Sequence, residues 1–378
     1  MEYERDLEAK IEKRLFERGK IIVIYGARQV GKTTLARKIL QKYGDDKGFF
    51  NCEDITVRDA LSSQSASMMK AFFGDSKVIV LDEAQTVLNI GRALKIFVDA
   101  YPEVNIIATG SSSFDLANKI NEPLTGRHYA FFLYPISFNE IAKVSGNRKL
   151  FEDLEIRLIY GNYPEIVNAS SVEDMRDKLK SLTTSYLYRD VLKFGNIKNP
   201  DVLTNILRAL AYQVGNEVSF SELAGLVGVD KNTVASYIRL LEQAFIIYRM
   251  RSYSNNMREE IKEGRKIYFY DNGVISALTD NFSGALVGRD VGGLWENLML
   301  AERMKYNQAN DLYKNLYFWR MKSKGEIDLV EEHDGRLSPF EFKWNKDKAS
   351  ASAYSFVENY RSEPLEIINK SNFVGFVR

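Results

Sequence analysis

The chain has 378 residues, 52 Lys plus Arg against 51 Asp plus Glu, and a net charge of +1; at one domain per roughly 100–200 residues, two to four domains are expected. A composition of 45% hydrophobic and 27% charged residues excludes a disordered chain. A single cysteine, Cys52, and two isolated histidines, His128 and His333, exclude an internal disulfide and a Cys/His zinc cluster and imply a reducing compartment.

The first twenty residues alternate charge with apolar positions and carry no apolar block of export-signal length. The longest apolar runs, such as Ile21–Tyr25 and Val78–Leu81, fall far below the roughly 20 residues that cross a bilayer. The expectation is a cytoplasmic protein without a membrane partner. The β-branched run Ile21–Tyr25 ends in glycine and leads into a helical pattern through Leu40, which reads as buried strand, loop and helix. The alternation recurs with strands predicted at Gly48–Asn51, Val78–Leu81 and Asn105–Ala108, and helices to Phe73 and over Gly91–Tyr101. That order predicts a parallel sheet covered on both faces.

The loop after the first strand reads Gly26-Ala27-Arg28-Gln29-Val30-Gly31-Lys32-Thr33-Thr34, a phosphate-binding loop in its proper strand-to-helix context. Its glycines let backbone N–H groups turn toward phosphates, Lys32 reaches the β and γ oxygens of ATP, and Thr33 ligates Mg²⁺. Val78–Leu81 ends in Asp82-Glu83, where Asp82 would hold Mg²⁺ and Glu83 would polarise the attacking water. Asn105–Ala108 runs into Thr109-Gly110-Ser111, so Thr109 or Ser111 would sense the γ-phosphate unless the segment is only a polar turn. Arg127, in Leu124-Thr125-Gly126-Arg127, reads either as the cation on the γ-phosphate or as a surface arginine. From Pro135 to about Lys193 the pattern is helical, interrupted by Gly161 and Pro164, and is read as a lid.

The order GARQVGKTT, VIVLDEAQ, IIATGSSS, LTGRHYAFFLYPISFNE and YGNYPEIV resembles a bacterial and archaeal family of AAA-type P-loop ATPases, related to the STAND ATPases. The resemblance covers nearly the whole chain. It implies that Gly161-Asn162-Tyr163-Pro164 is a lid element with Pro164 near the nucleotide base. Arg127 is similar to the AAA finger arginine only loosely. AAA relatives form rings and STAND relatives rest as monomers, so a homo-oligomer is one expectation and a monomer the other.

A connector at Phe194–Pro200, rich in Gly, Asn and Pro, precedes a new domain. Ser219 caps one helix, Gly228-Val229-Asp230 makes a turn, and Lys231–Glu242 forms a second amphipathic helix. Strands at Phe245–Met250 and Lys266–Tyr270, joined by the charged loop Arg251–Arg265, complete a winged helix-turn-helix pattern. On DNA, Lys231, Asn232, Ser236 and Arg239 would enter the major groove, and Arg258, Lys262 and Arg265 would meet phosphates. Glu259, Glu260 and Glu263 weaken the phosphate contacts, and the family resemblance implies a protein contact or lid extension as the alternative.

In the last section, Glu296 lies in a helical stretch, Asp328 on the apolar strand Gly325–Val330, and Glu341 and Lys343 two apart in Phe340–Trp344, hence on one strand face. Asp328 with Glu341-Phe342-Lys343 resembles the PD-(D/E)xK core of restriction-endonuclease-like domains, with Glu326-Ile327 where that motif carries its proline. The resemblance implies Mg²⁺ or Mn²⁺ on Asp328 and Glu341, support from Glu296, and Lys343 activating water against a phosphodiester. The plain alternative is two amphipathic strands with a salt bridge.

The expected fold is therefore α/β: a P-loop ATPase core over 1–135, a helical lid over 136–199, a winged helix over 200–286 and a restriction-endonuclease-like domain over 287–378. The expected function is that of an ATP-binding, Mg²⁺-dependent ATPase with ATP and ADP as ligands, acting on double-stranded or branched DNA. The alternatives are a nucleotide-controlled protein-interaction switch with a silent nuclease-like domain, and a binding module without hydrolysis.

Overall fold

In the computed structural model, the described residues are 3–43, 46–111, 124–184, 199–254, 264–283, 291–321, 325–345, 348 and 351–378. The first sheet has five parallel strands in the order β2-β3-β4-β1-β5, comprising β1 Ile21–Tyr25, β2 Phe49–Asn51, β3 Val78–Asp82, β4 Asn105–Gly110 and β5 His128–Phe132. Every residue of β1 and β3 is buried, as an uninterrupted β-branched run requires when both sheet faces are covered, whereas β2 and β5 are partly exposed edges. Ile21 registers with Ile106 on one side and His128 on the other. Helices α1 (Asp6–Leu15) and α2 (Lys32–Tyr43) lie side by side against the sheet, joined by Lys38–Glu8 and Lys42–Glu12 ion pairs of 2.8 and 2.7 Å. Helices α3 (Ile55–Ser62), α4 (Ala66–Phe73) and α5 (Ile90–Ala100) pack on one another beside it.

The lid begins at α6 (Phe138–Tyr160), opened by a capping box in which Ser137 and Glu140 satisfy each other's backbone N–H groups, and kinked at Gly146. Two short helices follow, α7 (Pro164–Val167), with proline in its first turn, and α8 (Val172–Leu182). Helix α9 (Pro200–Tyr212) leads to α10 (Phe220–Val227) and α11 (Lys231–Gln243), joined by a turn in which Asp230 accepts from the N–H groups of Asn232 and Thr233 at 2.8 and 3.0 Å. The hairpin β6 (Ile247–Ser252) and β7 (Arg265–Phe269) comes next, then α12 (Asn272–Leu278), α13 (Val291–Ala309), β8 (Asn315–Arg320), β9 (Glu326–His333), β10 (Arg336–Phe342), α14 (Ala351–Tyr360), β11 (Glu366–Ile368) and α15 (Phe373–Val377).

The hairpin β6–β7 is not a separate wing. It joins a six-stranded mixed sheet in the order β11-β10-β9-β8-β6-β7, with β6 parallel to β8 through Arg251↔Tyr317 and Ser252↔Phe318. A cut at 286/287 therefore divides one sheet. Backbone pairing is set by edges that come together in space, and the period-2 pattern of a strand does not say which edge it meets. One contiguous core runs from Leu7 in α1 to Val377 in α15, and a smaller cluster of Trp319, Ile327, Val330, Leu337, Ala353 and Phe356 lies under α14.

Helix α13 is the spine of this arrangement and is buried on all sides, so its polar residues need partners. Asn297 accepts from Phe269 N–H at 2.8 Å, Arg303 grips both oxygens of Glu331 at 2.7 Å, and Glu302 accepts from Phe138 N–H at 2.7 Å. Helix α12 caps the end of α6 from a distance, as Asn272 and Ser276 donate to the carbonyls of Leu158 and Ile159.

Candidate nucleotide site and a second acidic pocket

The loop Gly26–Thr33 leaves the end of β1 and enters α2. Gly26 is required by close approach: an added Cβ would stand 2.3 Å from the Leu133 carbonyl oxygen. Gln29 takes the left-handed conformation at φ 60°, as does Glu83 at φ 53°, two non-glycine residues held in sparsely populated backbone beside one cleft. Lys32 is buried and its ammonium donates to the loop's own carbonyls, Gly26 at 2.9 Å and Ala27 at 2.7 Å. The Thr33 hydroxyl donates to both oxygens of Asp82, at 2.9 and 3.0 Å, and Thr109 donates to Asp82 at 2.6 Å.

Glu83 follows Asp82 at the strand end, its N–H directed at the Thr109 hydroxyl at 3.2 Å. Its carboxylate accepts from the Gln85 amide and from Ser111 at 3.5 Å, and Gln85 also reaches the Ser111 hydroxyl at 3.2 Å. The sequence-predicted residues Lys32, Thr33, Asp82, Glu83, Thr109 and Ser111 thus converge at the ends of three adjacent strands. A cleft of about 420 Å³ opens there, lined by Arg28, Gln29, Gly31, Lys32, Thr33 and Thr34 of the loop, Glu83, and Pro164 of the lid. Two further carboxylates line it that sequence reading passed over, Glu53 after β2 and Glu165 beside Pro164.

Arg5 was also missed. It donates to the Val30 carbonyl at 2.7 Å, the Tyr134 carbonyl at 2.6 Å and the Glu140 carboxylate at 3.0 Å, pinning the phosphate loop to the base of the lid. Arg127 is not brought to this cleft. Its carbonyl accepts from Ile21 N–H at the start of β1, whereas the loop leaves the other end, roughly 16 Å away at 3.3 Å per residue, and its side chain pairs with Asp99 at 2.7 Å.

The residues fit a nucleotide with its magnesium. The loop offers a backbone cradle that a Cβ at Gly26 would fill, one buried ammonium, and a hydroxyl and carboxylate already in contact where Mg²⁺ would sit.

A second pocket of about 510 Å³ lies between the 214–216 loop, the start of α13 and the ends of β9 and β10. Of the residues the sequence grouped, Glu296, Asp328 and Lys343 line it; Glu326 joins them and Glu341 is not among the lining residues. Lys343 pairs with Glu341 at 2.6 Å and lies 3.9 Å from Asp328, whose carboxylate also accepts from Phe342 N–H at 2.8 Å. Lys266 of β7, 1% exposed, enters the same cluster and pairs with Glu296 at 2.9 Å and Glu326 at 2.5 Å; Tyr268 donates to Glu296 at 2.5 Å. Burial, then the Asp328 charge, pushes the Glu296 carboxyl up to about 7. Burial lowers Lys266, but Glu296, Asp328 and Glu326 outweigh it and hold the ammonium above its ordinary value.

The expected Mg²⁺ or Mn²⁺ set of Glu296, Asp328 and Glu341 does not assemble: among the described residues no group of three or more His, Cys, Asp or Glu side chains converges as metal ligands. Both lysines stand among the carboxylates instead. Of the residues expected on DNA, Lys231, Asn232, Ser236 and Arg239 are exposed along α11 and Arg265 opens β7. Arg258 and Lys262, with Glu259, Glu260 and Glu263, lie outside the described residues, as does most of the 194–200 connector. No helix among the described residues is long and apolar enough to cross a membrane.

Comparison with known proteins matches three stretches of the chain. Residues 18–142 match the family model of an AAA domain, and residues 151–284 and 291–374 match two domains of unknown function, DUF8612 and DUF4143. An uncharacterised protein of Mycobacterium tuberculosis is 27% identical over 342 residues, covering 90% of this chain and 73% of its own length. An uncharacterised protein of Haemophilus influenzae is 28% identical over 340 residues, covering 82% and 79%. Among solved structures, AMPPCP-bound DnaA from Aquifex aeolicus aligns with 62% of this chain and 86% of its own at 18% identity and a TM-score of 0.28. The Thermotoga maritima RuvB Holliday junction branch migration motor aligns over 69% and 88% at 15% identity and a TM-score of 0.31.

Proposed function

We propose that this chain is a Mg²⁺-dependent ATPase of the AAA type that passes its nucleotide state through the lid to a DNA-binding helix pair. The observation that carries the reading is the Thr33 hydroxyl resting on the Asp82 carboxylate beside the buried Lys32, at the end of a strand–loop–helix that falls within the AAA match. Bound ATP with Mg²⁺ would supply the electrophilic γ-phosphorus and the charge neutralisation that phosphoryl transfer needs. Lys32 would exchange its two loop carbonyls for phosphate oxygens, and Thr33 and Asp82 would hold the metal directly and through water. Glu83 is the general base, and Gln85 and Ser111 set the direction of its carboxylate. Pro164 and Glu165 close the cleft from the lid.

The lid element is tied to the rest of the chain. Asp271 accepts from Asn162 N–H at 2.6 Å and Glu302 from the Asn162 amide at 3.0 Å, so a shift of Pro164 on nucleotide binding would load α12 and α13 directly. The exposed face of α11, with Lys231, Asn232, Ser236 and Arg239, is the surface proposed to meet duplex or branched DNA in the manner of a helix-turn-helix. Titration of wild type and Lys32→Ala with a fluorescent ATP analogue tests the premise. Wild-type binding with at least a hundredfold weaker binding by Lys32→Ala is expected; equal affinity would remove the phosphate-loop assignment.

A further inference from the structure

The second pocket carries the residue types of a metal-dependent phosphodiesterase, yet its interior is already supplied with cations. We infer that the Lys266 ammonium, delivered by β7 from the neighbouring hairpin, takes the place that a divalent ion would need between Glu296, Glu326 and Asp328, so that this pocket is metal-independent. The inference concerns a site separate from the phosphate loop and stands or falls apart from the ATPase reading.

A hard divalent ion needs several carboxylate oxygens converging at roughly 2.0–2.6 Å with lone pairs to spare. Here one oxygen of each carboxylate already faces a cation or a donor. Glu296 accepts from Lys266 and Tyr268, Glu326 pairs with Lys266, Asp328 accepts from Phe342 N–H, and Glu341 pairs with Lys343. The Lys266 side chain is 1% exposed and its ammonium lies 5.5 Å from the Phe318 ring centroid, so the group is enclosed by the sheet and has no solvent to retreat to. Burying an ammonium is expensive unless carboxylates surround it. Conversely, those carboxylates would be costly to bury together without it. Lysine and carboxylates therefore require one another, and a metal could enter only by expelling a side chain whose backbone is hydrogen-bonded within the sheet, Lys266 pairing with Met250 of β6.

The consequence is that cleavage of a phosphodiester by a metal-bound water is not available here, and that the lysine is the determinant. The test is Mn²⁺ binding followed by electron paramagnetic resonance on nucleotide-free protein: wild type, Lys266→Met, Asp328→Asn and the double variant. Lys266→Met keeps an apolar stem of similar length over Phe318 and removes the charge. Wild type and Asp328→Asn are expected to bind Mn²⁺ identically. Lys266→Met is expected to gain one site, at least tenfold tighter than anything in wild type, and the double variant to lose it. A wild-type Mn²⁺ site that disappears in Asp328→Asn would overturn the inference, as would a folded Lys266→Met protein that gains none. If Lys266→Met fails to fold, the wild-type and Asp328→Asn pair decides alone.

Discussion

Glu83 is held at φ 53° with its carboxylate against Gln85 and Ser111, an arrangement that stores backbone strain at the residue proposed as general base. Replacing Gln85 with Ala should leave ATP affinity unchanged and lower kcat by about tenfold, because the base loses its direction and not its charge. Steady-state kinetics separate the two; a rise in KM at constant kcat would make Gln85 a binding residue instead. Lys32, Thr33, Asp82 and Glu83 were legible in the sequence because each sits at a fixed offset from a strand whose apolar run announces it. Arg5, Glu53, Glu165 and Lys266 were not, since they arrive from other segments: Arg5 meets Glu140 across 135 positions, and Lys266 comes from a hairpin 62 residues ahead of Asp328. Arg127 failed for the converse reason, proximity in sequence to the strand ends without regard to which end of β5 it occupies.

At the scale of elements, the lid and α12 are joined through a close approach at Gly161. Gly161 has φ 68° and ψ −162°, and an added Cβ would lie 1.9 Å from an Asp271 oxygen. Gly161→Ala should cost about 2–3 kcal/mol of stability from backbone strain alone, read as a lower urea midpoint. A change smaller than about 0.5 kcal/mol would mean that the lid and α12 are not held together in solution. Burial also pushes the Asp271 carboxyl up to about 6, and Glu296 is pushed up to about 7. The native state therefore holds these protons where the unfolded chain has released them. The stability they contribute is complete below about pH 4 and is lost as pH rises through 6 and 7. The urea midpoint should rise between pH 8 and pH 6, and Asp271→Asn with Glu296→Gln should flatten that slope; an unaltered slope in the double variant would assign the effect elsewhere.

Strands were the easiest elements to read, because β1, β3 and β4 are β-branched runs closed by the loops expected of them. The helix pair α10–α11 was equally plain from its Ser219 cap and the Gly228-Val229-Asp230 turn between the two amphipathic stretches. What escaped was the pairing of β6 with β8, since the two edges share two registered residue pairs and lie 63 or more positions apart.

For the molecule as a whole, one core and one spine helix connect the phosphate loop to the second sheet. An aromatic ladder follows the same route, with Phe132 against Phe245 at 4.5 Å, Tyr270 against Tyr248 at 5.0 Å and Tyr248 against Tyr268 at 5.7 Å. If α10 and α11 meet DNA as proposed, a chain assembled this way couples them to its lid, and DNA affinity should depend on whether ATP or ADP is bound. Lys231→Ala and Arg239→Ala should each weaken duplex binding and, where the side chain meets a phosphate, reduce the salt slope of log K by about one. Fluorescence anisotropy at several salt concentrations checks this; unchanged affinity in both variants would move the partner of α11 from DNA to protein. The claim on which the rest depends is hydrolysis at the phosphate loop, measured most directly as Mg²⁺-dependent phosphate release by wild type and Glu83→Gln, with ATP binding followed on the same samples. Turnover in wild type that falls roughly 10²–10⁴-fold in Glu83→Gln while ATP affinity is kept is the predicted result; undiminished turnover in Glu83→Gln, or a wild type that binds no ATP, would contradict it.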